Sequence, residues 1–155
     1  MYITKGLLDI VETDDELAMI IAHEMAHIEK KHSVIAYRRS VALSFLTAAI
    51  ILGTRDDKDN DEAAIAAVVM STLIRQGYSR SQEKEADEVG VTHLKRAGYD
   101  YQSYGTIFGK FIDLRKSKVT TISKLFATHP TPEERIANLD KYLKSYDELQ
   151  LKLNY

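Results

Sequence analysis

Thr13-Asp14-Asp15-Glu16-Leu17-Ala18-Met19-Ile20-Ile21-Ala22-His23-Glu24-Met25-Ala26-His27 is the stretch on which the reading turns. Thr13 with Glu16 three residues on fits a capping box at a helix start. Asp14 and Asp15 suit the positive end of a helix dipole. Leu17, Ile20, Ile21 and Ile28 recur at helical spacing, which predicts a helix from about Asp14 to about Tyr37. The stretch ends in an HExxH pattern. On a helix, residues four apart lie about 40° apart around the axis, so His23 and His27 project from one face. Glu24 falls with them inside an arc of about 100°. Two imidazoles at that spacing can bind one zinc ion, with Glu24 beside them as a general base, which implies a zinc peptidase. The ordinary alternative is an amphipathic helix whose histidines face water, and structural context has to separate the two. His32 lies on the face opposite His23 and is expected to face solvent beside Lys30 and Lys31, not to bind metal.

The bulk properties narrow the field. The 155 residues suit one domain able to bury its own core. A hydrophobic fraction of 45% and a charged fraction of 28% are ordinary for a soluble globular chain. A net charge of −2 gives no basic surplus that would argue for nucleic acid or an anionic membrane surface. With no cysteine, any zinc must be held by His and carboxylate. Met1 to Gly6 lacks the basic start and apolar core of a signal peptide. The longest apolar-rich run, Val41–Gly53, spans 13 residues, where a bilayer needs about 20. It is expected to be a buried helix. The other reading is an interfacial or membrane-leaning hairpin formed with Ala63–Ile74. No firm membrane anchor is expected.

Along the chain, Tyr2-Ile3-Thr4 reads as the end of a strand closed by Gly6, and Leu7–Val11 as a short helical or turn-like lead. A second helix is predicted over about Ser40–Leu52, a charged loop over Thr54–Glu62 and a third apolar helix over Ala63–Ile74. Ser79-Arg80 opens a fourth helix that Gly98 ends. A fifth covers Tyr101–Arg115, and Lys116–Thr128 is polar and loop-like. His129-Pro130-Thr131-Pro132 is stiff and extended. Thr131 caps a last helix, with Glu134 at its third position, that runs to about Leu151. The fold class is therefore mainly α, with a minimal strand component.

A catalytic zinc needs a third protein ligand and an open position for water. The fourth helix offers Glu83, Glu85, Asp87 and Glu88. Glu83 and Asp87 share a face with Ala86 and Gly90, small residues that let another helix approach closely, whereas Glu85 points away. On that geometry Glu83 is the candidate third ligand and Asp87 a neighbour that accepts the far N–H of a ligand histidine. Four acids in six residues fit a solvated surface equally well.

Three motifs in order then resemble a known family. HEMAH is followed by Ser79-Arg80-Ser81-Gln82-Glu83-Lys84-Glu85-Ala86-Asp87-Glu88-Val89-Gly90. Thr128-His129-Pro130-Thr131-Pro132-Glu133-Glu134-Arg135-Ile136 comes after it. Together with the lead Tyr2 to Leu8 they resemble the HtpX and CAAX-prenyl-protease family of zinc metalloendopeptidases, which includes BepA-type periplasmic and mitochondrial Oma-type enzymes. The resemblance implies a zincin-like gluzincin domain with one zinc per chain, held by His23, His27 and Glu83. It implies a place for Asp87 in the E-x-x-A-D run. It sets His129 by the metal, as an oxyanion stabiliser or as an extra ligand closing the site. Arg135 is expected to face the cleft or to anchor Glu83 or Asp87.

The implied activity is hydrolysis of polypeptides in protein quality control, with Glu24 as base. The alternative is a chaperone-like polypeptide-binding module with a closed, weakly active zinc site. Location by resemblance is periplasmic or membrane-associated. Two departures stand out. Members of the family usually carry a stretch before the lead, including an edge strand that pairs with an extended peptide. They also carry transmembrane segments or a helical-repeat tail. The 155 residues read as one catalytic domain, either truncated at its N-terminus or naturally short.

Overall fold

Thr4 takes an extended conformation and caps a short helix, α1 (Lys5–Leu8), its hydroxyl accepting from Leu7 N at 3.3 Å. The lead is thus a capped helical turn. Among the described residues there is no strand, and the expected strand end at Tyr2-Ile3-Thr4 is not formed. An extended Thr is what an N-cap requires. The structure, a computed structural model, describes residues 2–53, 68, 78–116, 129 and 132–153. The chain divides into two compact units, residues 1–30 with 79–155, and residues 31–78.

In the first unit, α2 (Asp14–Glu29) starts as its sequence predicts, with Thr13 Oγ1 accepting from Glu16 N at 3.2 Å. The box is extended, however. The Glu16 carboxylate reaches past the cap to Glu12 N at 2.8 Å and takes Lys110 Nζ at 2.8 Å. Burial works to raise the Glu16 carboxyl, but the bonds from Lys110 and the Glu12 backbone outweigh it and hold it below the ordinary value. α2 does not continue to Tyr37 as expected. It ends at Glu29, Lys30 N closing onto Ala26 O at 2.9 Å, and Lys31 adopts a left-handed φ of 55°. A left-handed residue stops the ladder of i to i−4 bonds, and glycine is its usual sequence marker, absent here.

The same unit contains α4 (Arg80–Ala97), α5 (Ser103–Lys116) and α6 (Pro132–Leu153). α4 keeps both predicted ends. Ser79 and Gln82 form a reciprocal capping box, and Gly98 closes the helix at a φ of 80°. α2 and α4 pack closely at Gly90 against Ala22 and His23, and Ala26 and Ala86 on the same helices are fully buried. A Cβ added at Gly90 would lie 3.2 Å from His23 N, so the two backbones are nearly in contact. The core joins Met19 of α2 and Leu94 of α4 to Ile107, Phe108 and Phe111 of α5 and Leu139 of α6. Each such side chain contributes about 1.5–3 kcal/mol on burial. Asp15 ties α5 to the first turn of α2, its Oδ1 accepting from Asp100 N at 2.9 Å and its carbonyl from Ser103 Oγ at 3.1 Å. Tyr104 of α5 hydrogen-bonds Asp140 of α6.

The second unit contributes α3 (His32–Gly53). It begins eight residues before the predicted second helix, because Lys31 restarts the ladder with Ile35 N bonding its carbonyl at 3.0 Å. Two expectations fail here. His32 is not solvent-facing: it is 1% exposed, with the Tyr78 ring 6.1 Å away. The restart at Lys31 turns it to a face that a continuous helix would have sent elsewhere. Nor is α3 the buried helix expected of its apolar run. Its most apolar window has no buried residue, and Tyr37, Phe45, Leu46 and Leu52 are exposed. The expected loop at 54–62, the helix at 63–74 (Val68 apart), the polar stretch at 117–128 and the cap at Thr131 lie outside the described residues.

Candidate metal centre

Adjacent turns of α2 put His23 and His27 side by side, Nε2 to Nε2 at 3.0 Å and both buried. The close crossing at Gly90 brings the first turn of α4 against them. Glu83, 1% exposed, points its carboxylate at both rings, Oε2 at 3.5 Å from His23 Nε2 and Oε1 at 3.3 Å from His27 Nε2. His129 approaches from the segment before α6, its Nδ1 at 2.9 and 2.8 Å from the two Glu83 oxygens. One donor atom from each of His23, His27, Glu83 and His129 lies within 4.8 Å of every other.

Behind His23 stands a second layer. Its Nδ1 lies 2.9 Å from Asp87 Oδ1 and 3.0 Å from Arg135 Nη2. Arg135 clamps the same carboxylate, Nη2 to Oδ1 at 2.6 Å and Nε to Oδ2 at 2.9 Å. The Arg135 guanidinium lies over the Phe108 ring at 4.4 Å, so it is backed by an aromatic face. Arg135, expected to face the cleft or to anchor Glu83 or Asp87, lines the cavity beside His23 and takes Asp87 as its closer carboxylate; its nearest approach to Glu83 is 3.8 Å.

The electrostatics follow from this packing. Burial works to raise Asp87, but Arg135 and the His23 hydrogen bond outweigh it and keep the carboxyl below its ordinary range. Burial, then the Arg135 charge, pushes His23 down, which favours neutral imidazole. In the tautomer that bonds the Asp87 carboxylate through Nδ1–H, Nε2 is left with its lone pair on the side of Glu83 and His27. Burial would also raise Glu83, but hydrogen bonds from His129 and His27 hold it far below the usual carboxylate value. The centre therefore presents an ionised carboxylate and imidazole nitrogens to one point.

Seven of the residues named in the sequence lie together here. His23, His27, Glu83 and His129 converge, Asp87 and Arg135 form the layer behind, and half-buried Glu24 lies beside them on α2. Glu85 is exposed and faces Lys30 at 3.7 Å, away from the cluster. What sequence reasoning missed is the contribution of α5. Ile107, Phe108 and Phe111, with Met19, Leu7 and Ile10, line a largely apolar cavity of about 270 Å³ that opens onto His23, Glu24 and His129. Apolar side chains at helical spacing do not by themselves distinguish cavity wall from core.

The model of Peptidase family M48 matches residues 1–143. A putative beta-barrel assembly-enhancing protease of Vibrio cholerae is 31% identical over 152 residues, 95% of this chain and 31% of that protein. A protease HtpX homolog of Salinibacter ruber is 30% identical, covering 90% of this chain and 58% of its own length. The mitochondrial metalloendopeptidase OMA1 of Saccharomyces cerevisiae is 26% identical over 96% of this chain and 42% of its own. The chain spans less than a third of the beta-barrel assembly-enhancing proteases it matches. No solved structure matches it. With the matched region running from the lead through most of α6, and the clustered residues inside it, the chain belongs to peptidase family M48.

Proposed function

We propose that the chain is a zinc-dependent metalloendopeptidase and that His23, His27 and Glu83 hold the ion. The observation carrying this reading is the spacing of their donor atoms, 3.0, 3.3 and 3.5 Å apart. Tetrahedral zinc with bonds of about 2.0–2.1 Å sets its ligand atoms roughly 3.3–3.4 Å from one another, so the residues present fit the ion. An imidazole pair with a carboxylate, and no thiolate, is also a catalytic ligand set. When bound, zinc supplies Lewis acidity and a water reactive near neutral pH.

The chain's own groups do the rest. Asp87, braced by Arg135, fixes the tautomer and orientation of His23. Glu24 takes a proton from the attacking water and delivers it to the leaving amine. His129 steadies negative charge developing on the substrate oxygen through its ring N–H. The apolar cavity beside Glu24 receives a large apolar side chain of a polypeptide lying across the site. By likeness to the beta-barrel assembly-enhancing proteases, the substrates we propose are unassembled polypeptides, in a quality-control role.

A second reading has one observation in its favour. His129 Nδ1 is close enough to both Glu83 oxygens to join the ligand set and close the centre, leaving a polypeptide-binding module with little turnover. Zinc content and casein cleavage of the wild type, Glu24→Gln and His129→Ala separate the two. For the peptidase, Glu24→Gln retains zinc and loses about 10²–10⁴ in rate, and His129→Ala lowers the rate. Faster cleavage by His129→Ala favours the closed centre. Undiminished cleavage by Glu24→Gln removes Glu24 from the base role.

A further inference from the structure

We infer that a buried ion pair, Glu16 with Lys110, sets the width of the apolar cavity beside Glu24 and thereby the size of side chain the cavity accepts. The substrate part of this inference rests on the peptidase reading. The cavity takes its walls from three places. Leu7 of α1 and Ile10 of the turn after it form one, Met19 of α2 another, and Ile107, Phe108 and Phe111 of α5 the third. Apolar contact between such walls is non-directional and fixes no spacing by itself.

All three walls are tied together at Glu16, which is 3% exposed. Its carboxylate, one turn before Met19 on α2, accepts from Glu12 N at 2.8 Å, two residues after Ile10. Both of its oxygens take Lys110 Nζ at 2.8 Å, and Thr106 bonds the same group. On α5, Thr106 and Lys110 bracket Ile107 and Phe108. Lys110 Nζ also reaches Glu12 Oε2 at 2.8 Å, which closes a triangle of turn, α2 and α5. Neither Glu16 nor Lys110 lines the cavity, so both are positioning residues.

Helix capping does not account for this arrangement. A capping box needs the glutamate to reach back across the helix start, but it needs no lysine from another helix. Stability is a poor explanation too, since the desolvation of a buried ion pair offsets its attraction. What the pair adds is bonds of fixed length and direction, which apolar contact lacks. Releasing it lets α5 and the turn after α1 part, and a large side chain in the cavity then loses contact with one wall.

The test is cleavage, by the full zinc-loaded chain, of internally quenched peptides that differ only in one residue next to the scissile bond, leucine or alanine. A pocket of fixed width separates side chains by about tenfold or more per methylene. Lys110→Met should cut the leucine-over-alanine ratio about tenfold, mainly by raising KM for the leucine peptide, with zinc content unchanged. Glu16→Gln should do the same, and it leaves Lys110 its bond to exposed Glu12, so it serves if Lys110→Met folds poorly. Lys110→Arg keeps a cation between the carboxylates and should restore most of the ratio. Tyr104→Phe removes a different tie of α5, the bond to Asp140, and should leave the ratio alone. A second readout needs neither zinc nor turnover. The carbon-13 methyl signal of Met19 should report n-alcohols entering the cavity, binding about fourfold tighter per added methylene up to a cut-off in length. Glu16→Gln should blur that cut-off. An unchanged ratio in both Lys110→Met and Glu16→Gln, or an equal loss in Tyr104→Phe, overturns the inference. If the wild type cleaves neither peptide, the peptidase reading fails by itself, and an identical Met19 cut-off in wild type and Glu16→Gln then overturns the inference separately.

Discussion

Replacing Gly90 by alanine sets two effects of opposite sign against each other at the crossing of α2 and α4. On an open helix face the change removes backbone freedom from the unfolded chain and stabilises by about 0.5–1 kcal/mol. At Gly90 the new Cβ meets His23 N at 3.2 Å and Ala22 C and His23 Cα at 3.4 Å. Carbon contacts settle near 3.5–4.0 Å, so the helices must part by a few tenths of an ångström. The atoms met belong to the α2 backbone, held by its own hydrogen-bond ladder, and no flexible side chain is there to swing aside. Overpacking of this kind typically costs 1–3 kcal/mol. It outweighs the propensity gain, leaving a net loss of about 1 kcal/mol. The same separation draws Glu83 from His23 and His27, and zinc affinity should fall about tenfold for each 1.4 kcal/mol of binding lost. Urea unfolding with and without zinc, and competition with a chromogenic chelator, read both quantities. Gly109→Ala is the control: it is also helical, but its added Cβ meets nothing within 4 Å, so it should stabilise. If Gly90→Ala also stabilises and zinc binding is unchanged, the close-crossing argument is wrong.

Other outcomes follow from the same geometry. Arg135→Ala should cost about 3–5 kcal/mol in denaturant unfolding, because Asp87 is left as a buried carboxylate without its cation. Arg135→Lys should rescue little, since an ammonium cannot make both bonds to Asp87, and full rescue by lysine refutes the clamp. Glu16 has a folded-state value lowered from 4.5, so its contribution is fully present above about pH 4.5 and fades as pH falls through the lowered value. Glu16→Gln should flatten that part of the stability curve, and an unchanged acid limb contradicts the assignment. Cleavage of a peptide mixture should favour a large apolar side chain next to the scissile bond, whereas a flat profile would separate the cavity from specificity.

The site was more legible than the fold around it. His23, Glu24 and His27 are fixed by spacing on a single helix, and the i, i+4 rule places them without tertiary information. Glu83 and Asp87 were separable from Glu85 because face and small neighbours, Ala86 and Gly90, can be read from a helix wheel. His129 and Arg135 came from resemblance alone, since nothing local tells a loop histidine or a helical arginine where it will dock. The break at Lys31 was invisible, because a left-handed lysine carries no glycine or proline signal. His32 was misjudged as a direct consequence. The exposure of α3 was misjudged for a different reason: an apolar run has the same composition in a core and outside one, and only packing distinguishes them.

The most direct test of the account is zinc K-edge absorption spectroscopy on the purified chain and on Glu83→Gln, with metal content measured on the same samples. The account predicts one zinc per chain, imidazole nitrogens at about 2.0–2.1 Å and a carboxylate oxygen at about 2.0–2.2 Å, with affinity collapsing in the variant. Full zinc retention by Glu83→Gln, or a shell without imidazole scattering, would contradict a centre built from His23, His27 and Glu83.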